Sequence, residues 1–202
     1  NITWWEALEY CNKLSEKYGL QPVYIIEDTD GIKKLKIQQL DGEISYPDIA
    51  DFRKTEGFRL PTNLEWEWFA RGGEIAIQDG TFDTEYAGSN NIDKVAWYEG
   101  NSNNKVHNVG SKKPNELGLY DCSGNVEEMC YDTFDDEKYY DNPDKYFSIK
   151  KSYFYNIFYC SRICRGGNYF THDYRVAISD FNSIKDSKTS HGVGIRVVRT
   201  VK

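Results

Sequence analysis

Pro114-Asn115-Glu116-Leu117-Gly118-Leu119-Tyr120-Asp121-Cys122-Ser123-Gly124-Asn125-Val126-Glu127-Glu128 is the stretch on which the reading of the fold turns. It shows no helical period, because Gly118, Ser123, Gly124 and Asn125 break it every few residues. The same texture runs from about residue 74 to 202. Val95-Ala96-Trp97-Tyr98, Leu117 to Tyr120, Tyr153 to Tyr159 and Gly194 to Val198 are short runs of large side chains set between Gly, Asn, Ser and Asp. The spacing predicts a loop-dominated back half held by rings and short strands.

Towards the N-terminus the pattern changes. Thr62-Asn63-Leu64-Glu65, directly after Pro61, has the capping-box form and starts a helix to about Arg71, stopped by Gly72-Gly73. Trp66, Phe69 and Ala70 form one stripe and Leu64 and Trp68 another, which leaves little of this helix to face water. Thr3-Trp4-Trp5-Glu6 repeats the capping box. Behind it Trp4, Leu8, Cys11, Leu14 and Tyr18 recur at three and four residues, so a helix is expected over 3 to 18, with Gly19 as its stop. Pro22 to Ile26 and Lys33 to Gln38 read as strands joined by a tight turn at Asp30-Gly31, and Asp41-Gly42 makes a second turn. No fixed-period repeat interrupts the chain, and one domain is expected over 1–202.

Composition narrows the function classes. The 16 Tyr, 10 Phe and 5 Trp against 1 Met exclude a disordered tail, despite a mean hydropathy of -0.71. A net charge of -7 and a pI near 5.1 argue against nucleic acid, since 25 Lys+Arg are diluted by 32 Asp+Glu. No run approaches the ~20 apolar residues of a membrane span. Cys11, Cys122, Cys130, Cys160 and Cys164 make an odd, scattered set with no Cys-x-x-Cys pair, and the three histidines lie far apart, which argues against simple zinc catalysis. No Gly-x-Ser-x-Gly elbow and no phosphate-cradling loop before a Lys is present. The acidic run Asp132, Asp135, Asp136, Glu137, Asp141 and Asp144 reads as a solvated loop. Because the chain opens at Asn1 with neither Met nor a signal-like segment, it is expected to be a fragment or a processed product.

Several segments fall in a set order. They are Ile2-Thr3-Trp4-Trp5-Glu6-Ala7 with Tyr10-Cys11, Phe58-Arg59-Leu60-Pro61-Thr62, Glu65-Trp66-Glu67 and Ala70-Arg71-Gly72-Gly73. Val109-Gly110, the opening stretch through Glu128, Arg165-Gly166-Gly167, Arg175-Val176-Ala177 and Gly194-Ile195-Arg196 complete the series. In order and spacing this series resembles the formylglycine-generating enzymes, or sulfatase-modifying factors, and their bacterial relatives, over nearly the whole chain. The resemblance implies an α+β, C-type-lectin-like fold with two helices, short antiparallel strands and extensive irregular loops. The family's strand region before the first helix has no counterpart here.

The family binds calcium at the loop matching Asp121 to Glu128. That implies a site at Asp121, Gly124, Val126 and Glu128, with carboxylates from the first and last and backbone carbonyls from the middle pair. The alternative is a Gly-Asn turn with two carboxylates in water. A second family site, at Asn101 to Asn108, is too divergent to carry over.

The family's oxidase chemistry uses two cysteines that hold copper. The first is expected after the Gly-Gly-Ser-Tyr-x segment, which here reads Gly166-Gly167-Asn168-Tyr169-Phe170 and is followed by Thr171. His172-Asp173-Tyr174-Arg175 supplies no second thiol, so copper is not expected. Cys160 and Cys164 precede the Gly-Gly pair and read as ordinary small residues. Cys11 matches a family half-cystine whose partner position is Val197, and another half-cystine position is Ala70, so Cys11 reads as a buried thiol. Sulfoxide synthases of this fold draw iron ligands from a further domain not represented in this sequence.

A scaffold without its nucleophiles points to recognition. Trp97, Tyr98, Asn168, Tyr169, Phe170, Thr171, His172, Asp173, Tyr174, Asp180, Phe181 and Asn182 are the candidate ligand-binding residues, on loops near 97 to 108 and 168 to 191. Rings give contact area at small entropy cost, and small polar groups give adaptable hydrogen bonds. The partner expected is a protein or other surface ligand, with the oligomeric state left open. The segment is also similar to the retroelement-diversified branch of the fold, in which Arg165, Gly166, Gly167, Arg175, Ala177, Gly194 and Arg196 would be the fixed residues. That branch implies a cell-surface or extracytoplasmic location. The alternatives are a brace within a larger protein, and an oxidase with an unrecognised metal site.

Overall fold

Thr3 and Glu6 close the first helix as the sequence predicts. The Thr3 hydroxyl accepts from Glu6 N, the Glu6 carboxylate accepts from Thr3 N (2.7 Å), and α1 runs Trp4–Lys17. The computed structural model describes residues 1–134 and 160–201. α1 buries Trp4, Ala7, Leu8 and Cys11 against a hairpin of β1 (Tyr24–Thr29) and β2 (Ile32–Gln38). The register from Tyr24↔Ile37 to Thr29↔Ile32 leaves Asp30 and Gly31 as a two-residue turn. The first strand thus starts later and ends later than the sequence suggests. β3 (Ile44–Ser45) adds to β2, and β4 (Phe58–Arg59) pairs across the chain with β9 (Val198–Arg199).

α2 spans Asn63–Ala70 with the Thr62–Glu65 box in place. Trp66 and Ala70 are fully buried, but Leu64 and Trp68 are 54% and 46% exposed, so the second stripe faces water. The helix packs on one side only, and Trp68 leans on the Phe82 ring instead (5.6 Å). Gly72, at φ 87°, does end α2, yet the chain re-enters a helix at once as α3, Gly73–Asp79, followed later by the single turn α4, Ile92–Val95. Neither short helix was legible in the sequence. α3 buries only Gly73 and Ala76, which makes no apolar period.

The central sheet has the order β7-β6-β5-β8, with β5 Glu127–Phe134, β6 Ser161–Arg165, β7 Phe181–Lys185 and β8 Val193–Gly194. β5–β6 and β6–β7 are antiparallel, and β5–β8 is parallel. β5 is the spine. Its Met129 and Tyr131 join the cluster of Trp4, Leu8, Ile37 and Leu60, while Cys130 faces Trp66, Ala70, Ile163 and Ile178. A third cluster of Tyr86, Val95, Ala96, Val176 and Ala177 sits under the loops that follow α4 and β6.

Asp132 lies within β5, half-buried, and accepts a 2.5 Å hydrogen bond from Asn63 N at the start of α2. The solvated loop expected there is therefore corrected at this residue. Asp135, Asp136, Glu137, Asp141 and Asp144, and the run Tyr153 to Tyr159, lie outside the described residues. Among the described residues, no helix is long and apolar enough to cross a membrane.

Candidate functional site

Three residues of the 121–128 loop occupy the left-handed region: Asp121 (φ 58°), Gly124 (φ 78°) and Asn125 (φ 64°). At Gly124 only glycine fits, because a Cβ would overlap the Trp97 backbone bridged to it, and Gly124 N donates to Gly166 O at 2.7 Å. Asn125 is buried. Its amide accepts from His107 N (3.0 Å) and donates to His107 O (3.2 Å), pinning the 97–110 loop, while its carbonyl accepts from Tyr169 N (3.0 Å). Asp121 accepts from Gly110 N at 2.7 Å, and Val126 packs beside Gly194.

Glu128 is held on both oxygens. Oε2 accepts from Trp66 Nε1 and Arg196 Nε, each at 2.8 Å, and Oε1 accepts from Arg196 Nη2 at 2.6 Å. Burial opposes the charge on Arg196, but the Glu128 carboxylate outweighs it and holds the guanidinium above its usual pKa. Of the expected calcium residues, Asp121, Gly124 and Val126 lie on the loop and Glu128 on β5 directly after it; carboxylate and carbonyl oxygens are donors of the kind a hard cation takes. Arg196 cancels one of the two carboxylate charges, so an ion here would share Glu128 with a guanidinium. Among the described residues no three His, Cys, Asp or Glu side chains gather as a metal group.

The candidate ligand residues separate into two kinds. Asn168 is buried; its N donates to Thr171 Oγ1 (3.0 Å), and its carbonyl accepts from both Thr171 N (3.1 Å) and Thr171 Oγ1 (2.9 Å). Asp180 accepts from Arg175 (3.1 Å), and its carbonyl accepts from Arg165 Nη1 (2.8 Å). Phe181 packs into the second core cluster beside Phe134, and the Asn182 amide reaches in to Glu127 (3.3 Å). These residues build a frame. Phe170, His172, Asp173 and Tyr174 are exposed on it, with His172 stacked on Tyr174 (5.8 Å) and paired to Glu99. Tyr169 is half-buried against Phe170.

Trp97 is half-buried with the His107 ring stacked at 3.7 Å and Lys112 Nζ 3.9 Å from its ring centre, so its π-system is already engaged. Tyr98 packs on the third cluster, where burial, then the charges of Asp93 and Asp173, push its phenol upward.

Glu127 escaped the sequence reading. It is 5% exposed at the start of β5 and accepts from the amides of Asn168 (3.1 Å) and Asn182 (3.3 Å). Burial raises its pKa, while hydrogen bonds from Asn182 and the nearby Arg175 pull the other way. An acidic pair at 127 and 128 was the signal, but only long-range contacts reveal its partners.

None of the five cysteines is in a disulfide. Burial pushes the thiols of Cys11 and Cys122 up to about 12 and those of Cys130 and Cys164 well above the usual value. Cys160 is half-buried. A thiolate, which both nucleophilic and copper chemistry need, is strongly disfavoured at those four positions.

Residues 1–201 match the family profile described as the Sulfatase-modifying factor enzyme 1-like domain. Among curated proteins, the Chaperone protein LppX of Paenibacillus barcinonensis is 39% identical over 150 residues, covering 65% of this chain and 50% of that protein. The Formylglycine-generating enzyme of Streptomyces coelicolor is 31% identical over 163 residues, covering 74% of this chain and 49% of that one. The chain spans about half the length of the curated relatives it matches. Among solved structures, Treponema denticola variable protein 1 aligns with a TM-score of 0.70 at 28% identity, over 98% of this chain and 69% of its own. CarF aligns with a TM-score of 0.73 at 28% identity, over 100% of this chain and 67% of its own.

Proposed function

The chain belongs to the sulfatase-modifying factor enzyme 1-like family, and we propose that within it this chain is a non-catalytic platform that binds a protein through its 168–182 segment. Its fold is the C-type-lectin-like α+β fold of the formylglycine-generating enzymes. The observation that carries the proposal is at Thr171, the residue after the Gly-Gly-Asn-Tyr-Phe segment. A hydroxyl stands where the resemblance requires the first thiol, and it is spent on the Asn168 carbonyl. The buried cysteines cannot replace it, for the reasons of burial and pKa given above.

A binding role is supported by the exposed Phe170, His172, Asp173 and Tyr174, carried on a frame whose polar groups bond one another. A protein is favoured as the ligand because one relative is named a chaperone. The likeness to a protein named as variable agrees with a face whose residues change while the frame stays. Replacing the four exposed residues together with alanine should leave folding intact and abolish capture of the partner from cell extract. Capture that persists in that variant contradicts the reading.

Calcium belongs to the proposal at the 121–128 loop, with Asp121, the carbonyls of Gly124 and Val126, and a Glu128 shared with Arg196. Bound there, the ion would brace the loop and take no part in chemistry. Calcium should raise the melting temperature of the wild type over a chelated sample, and Asp121→Ala should remove the difference. Identical melting with and without chelator in the wild type would count against the ion.

The rival reading is an oxidase, favoured by the 31% identity to a formylglycine-generating enzyme. It needs a reactive thiol pair, and Cys160 is the one cysteine not deeply buried.

A further inference from the structure

We infer that Glu127 is the positioning residue of the proposed binding face, a single buried carboxylate at the head of β5 that bridges Asn168, at the start of the 168–182 segment, to Asn182 on β7, where the segment rejoins the central sheet. The inference rests on the binding reading for its importance, while its geometry stands alone. Glu127 is fixed from behind: its N donates to Gly192 O (2.8 Å), and it pairs with Val193 of β8. In front, Oε1 accepts from Asn168 Nδ2 (3.1 Å) and Oε2 from Asn182 Nδ2 (3.3 Å). Between these two asparagines lie the exposed Phe170, His172, Asp173 and Tyr174.

Neither amide can turn round. Asn168 Oδ1 already accepts from Phe170 N (3.1 Å), and Asn182 Oδ1 from Ser183 N (2.8 Å). Both therefore present N–H to residue 127, which must offer an acceptor to each. A carboxylate does so with both oxygens, whereas a glutamine would turn an N–H donor towards one of them. Leaving a buried carboxylate with neutral partners is unfavourable for the fold. What offsets that cost is the joining of the loop at Asn168 and the strand β7 at Asn182 to one residue of β5.

Glu127→Gln tests the inference by hydrogen exchange. The backbone amides of the 168–182 segment should exchange faster by about tenfold or more, while those of α1 and the β1–β2 hairpin keep the wild-type rate. The double variant Glu127→Gln/Asn182→Asp reverses donor and acceptor at nearly constant volume. The new amide donates to the new carboxylate, the Asn168 bond keeps its acceptor, and exchange should return towards wild type. A general loss of packing would not be rescued this way. Unchanged exchange in the single variant, or exchange in the double variant as fast as in the single one, overturns the inference. Should Glu127→Gln not fold, Asn182→Ala carries the test: faster exchange near β7 that spares α1 supports the tie, and wild-type exchange defeats it. None of these readouts needs a ligand, so failure here is distinct from failure of the four-alanine capture experiment.

Discussion

The 121–128 loop and the 168–182 segment are built from similar residues and end up with opposite roles. Both carry Asn and acidic side chains, and they touch where Tyr169 N donates to Asn125 O. In the first loop Asn125, Glu127 and Glu128 all turn inward, and each is bonded to a different part of the molecule. In the second, Asn168, Val176 to Ile178 and Asp180 to Asn182 turn in, and Phe170 and His172 to Tyr174 are left on the surface. A loop whose polar groups are all used inside is a strut. One that is anchored on either side of an exposed run is a platform on which side chains of that run can change at little cost to folding.

Substitutions should rank accordingly. The largest effect is expected at Arg196→Ala, which strands the buried Glu128 carboxylate and should cost about 3–5 kcal/mol in urea denaturation. A loss below about 1 kcal/mol would mean that the strut does not depend on this pair. Asn168→Ala, at an anchored end of the platform, should cost about 1–3 kcal/mol, since it removes a buried partner of Glu127 and the acceptor for Phe170 N.

A third change sits on β5, the strand into which the first loop runs. Burial raises the pKa of Asp132, opposed by its hydrogen bond from Asn63 N. A raised acid favours the folded state below the ordinary aspartate range, and that contribution is lost as pH rises through the folded value. Asp132→Asn keeps an acceptor for Asn63 N and removes the partly desolvated charge. It should therefore stabilise the protein at pH 7 by on the order of 1 kcal/mol, with the gain fading in acid. A gain that grows as pH falls has the wrong sign for this account. The smallest effects belong to the platform's middle: Phe170→Ala, His172→Ala and Tyr174→Ala should each stay within about 0.5 kcal/mol of wild type. A loss above about 2 kcal/mol at any of them would place that side chain in the frame.

Local signals were legible in the sequence. The Thr3–Glu6 and Thr62–Glu65 boxes and the Asp30-Gly31 turn are each decided within a few residues, and the ordered motifs from Ile2 to Arg196 carried the family fold. What long-range packing decides was not legible. β5 is buried on both faces from Glu127 to Tyr131, which erases the alternation that marks a strand. Leu64 and Trp68 look like a second core stripe because sequence spacing cannot say that α2 packs on one side. Asn168, Thr171, Asp180, Phe181 and Asn182 carry the composition of a binding surface but serve as its frame, and only their partners across the fold distinguish them from Phe170 and Tyr174.

The most direct test of a platform that binds without reacting is to load the protein with copper(I), incubate it with a sulfatase-type cysteine peptide, and read the product by mass spectrometry. The account predicts no stoichiometric copper and an unmodified cysteine. Conversion of that cysteine to the formylglycine aldehyde would contradict it.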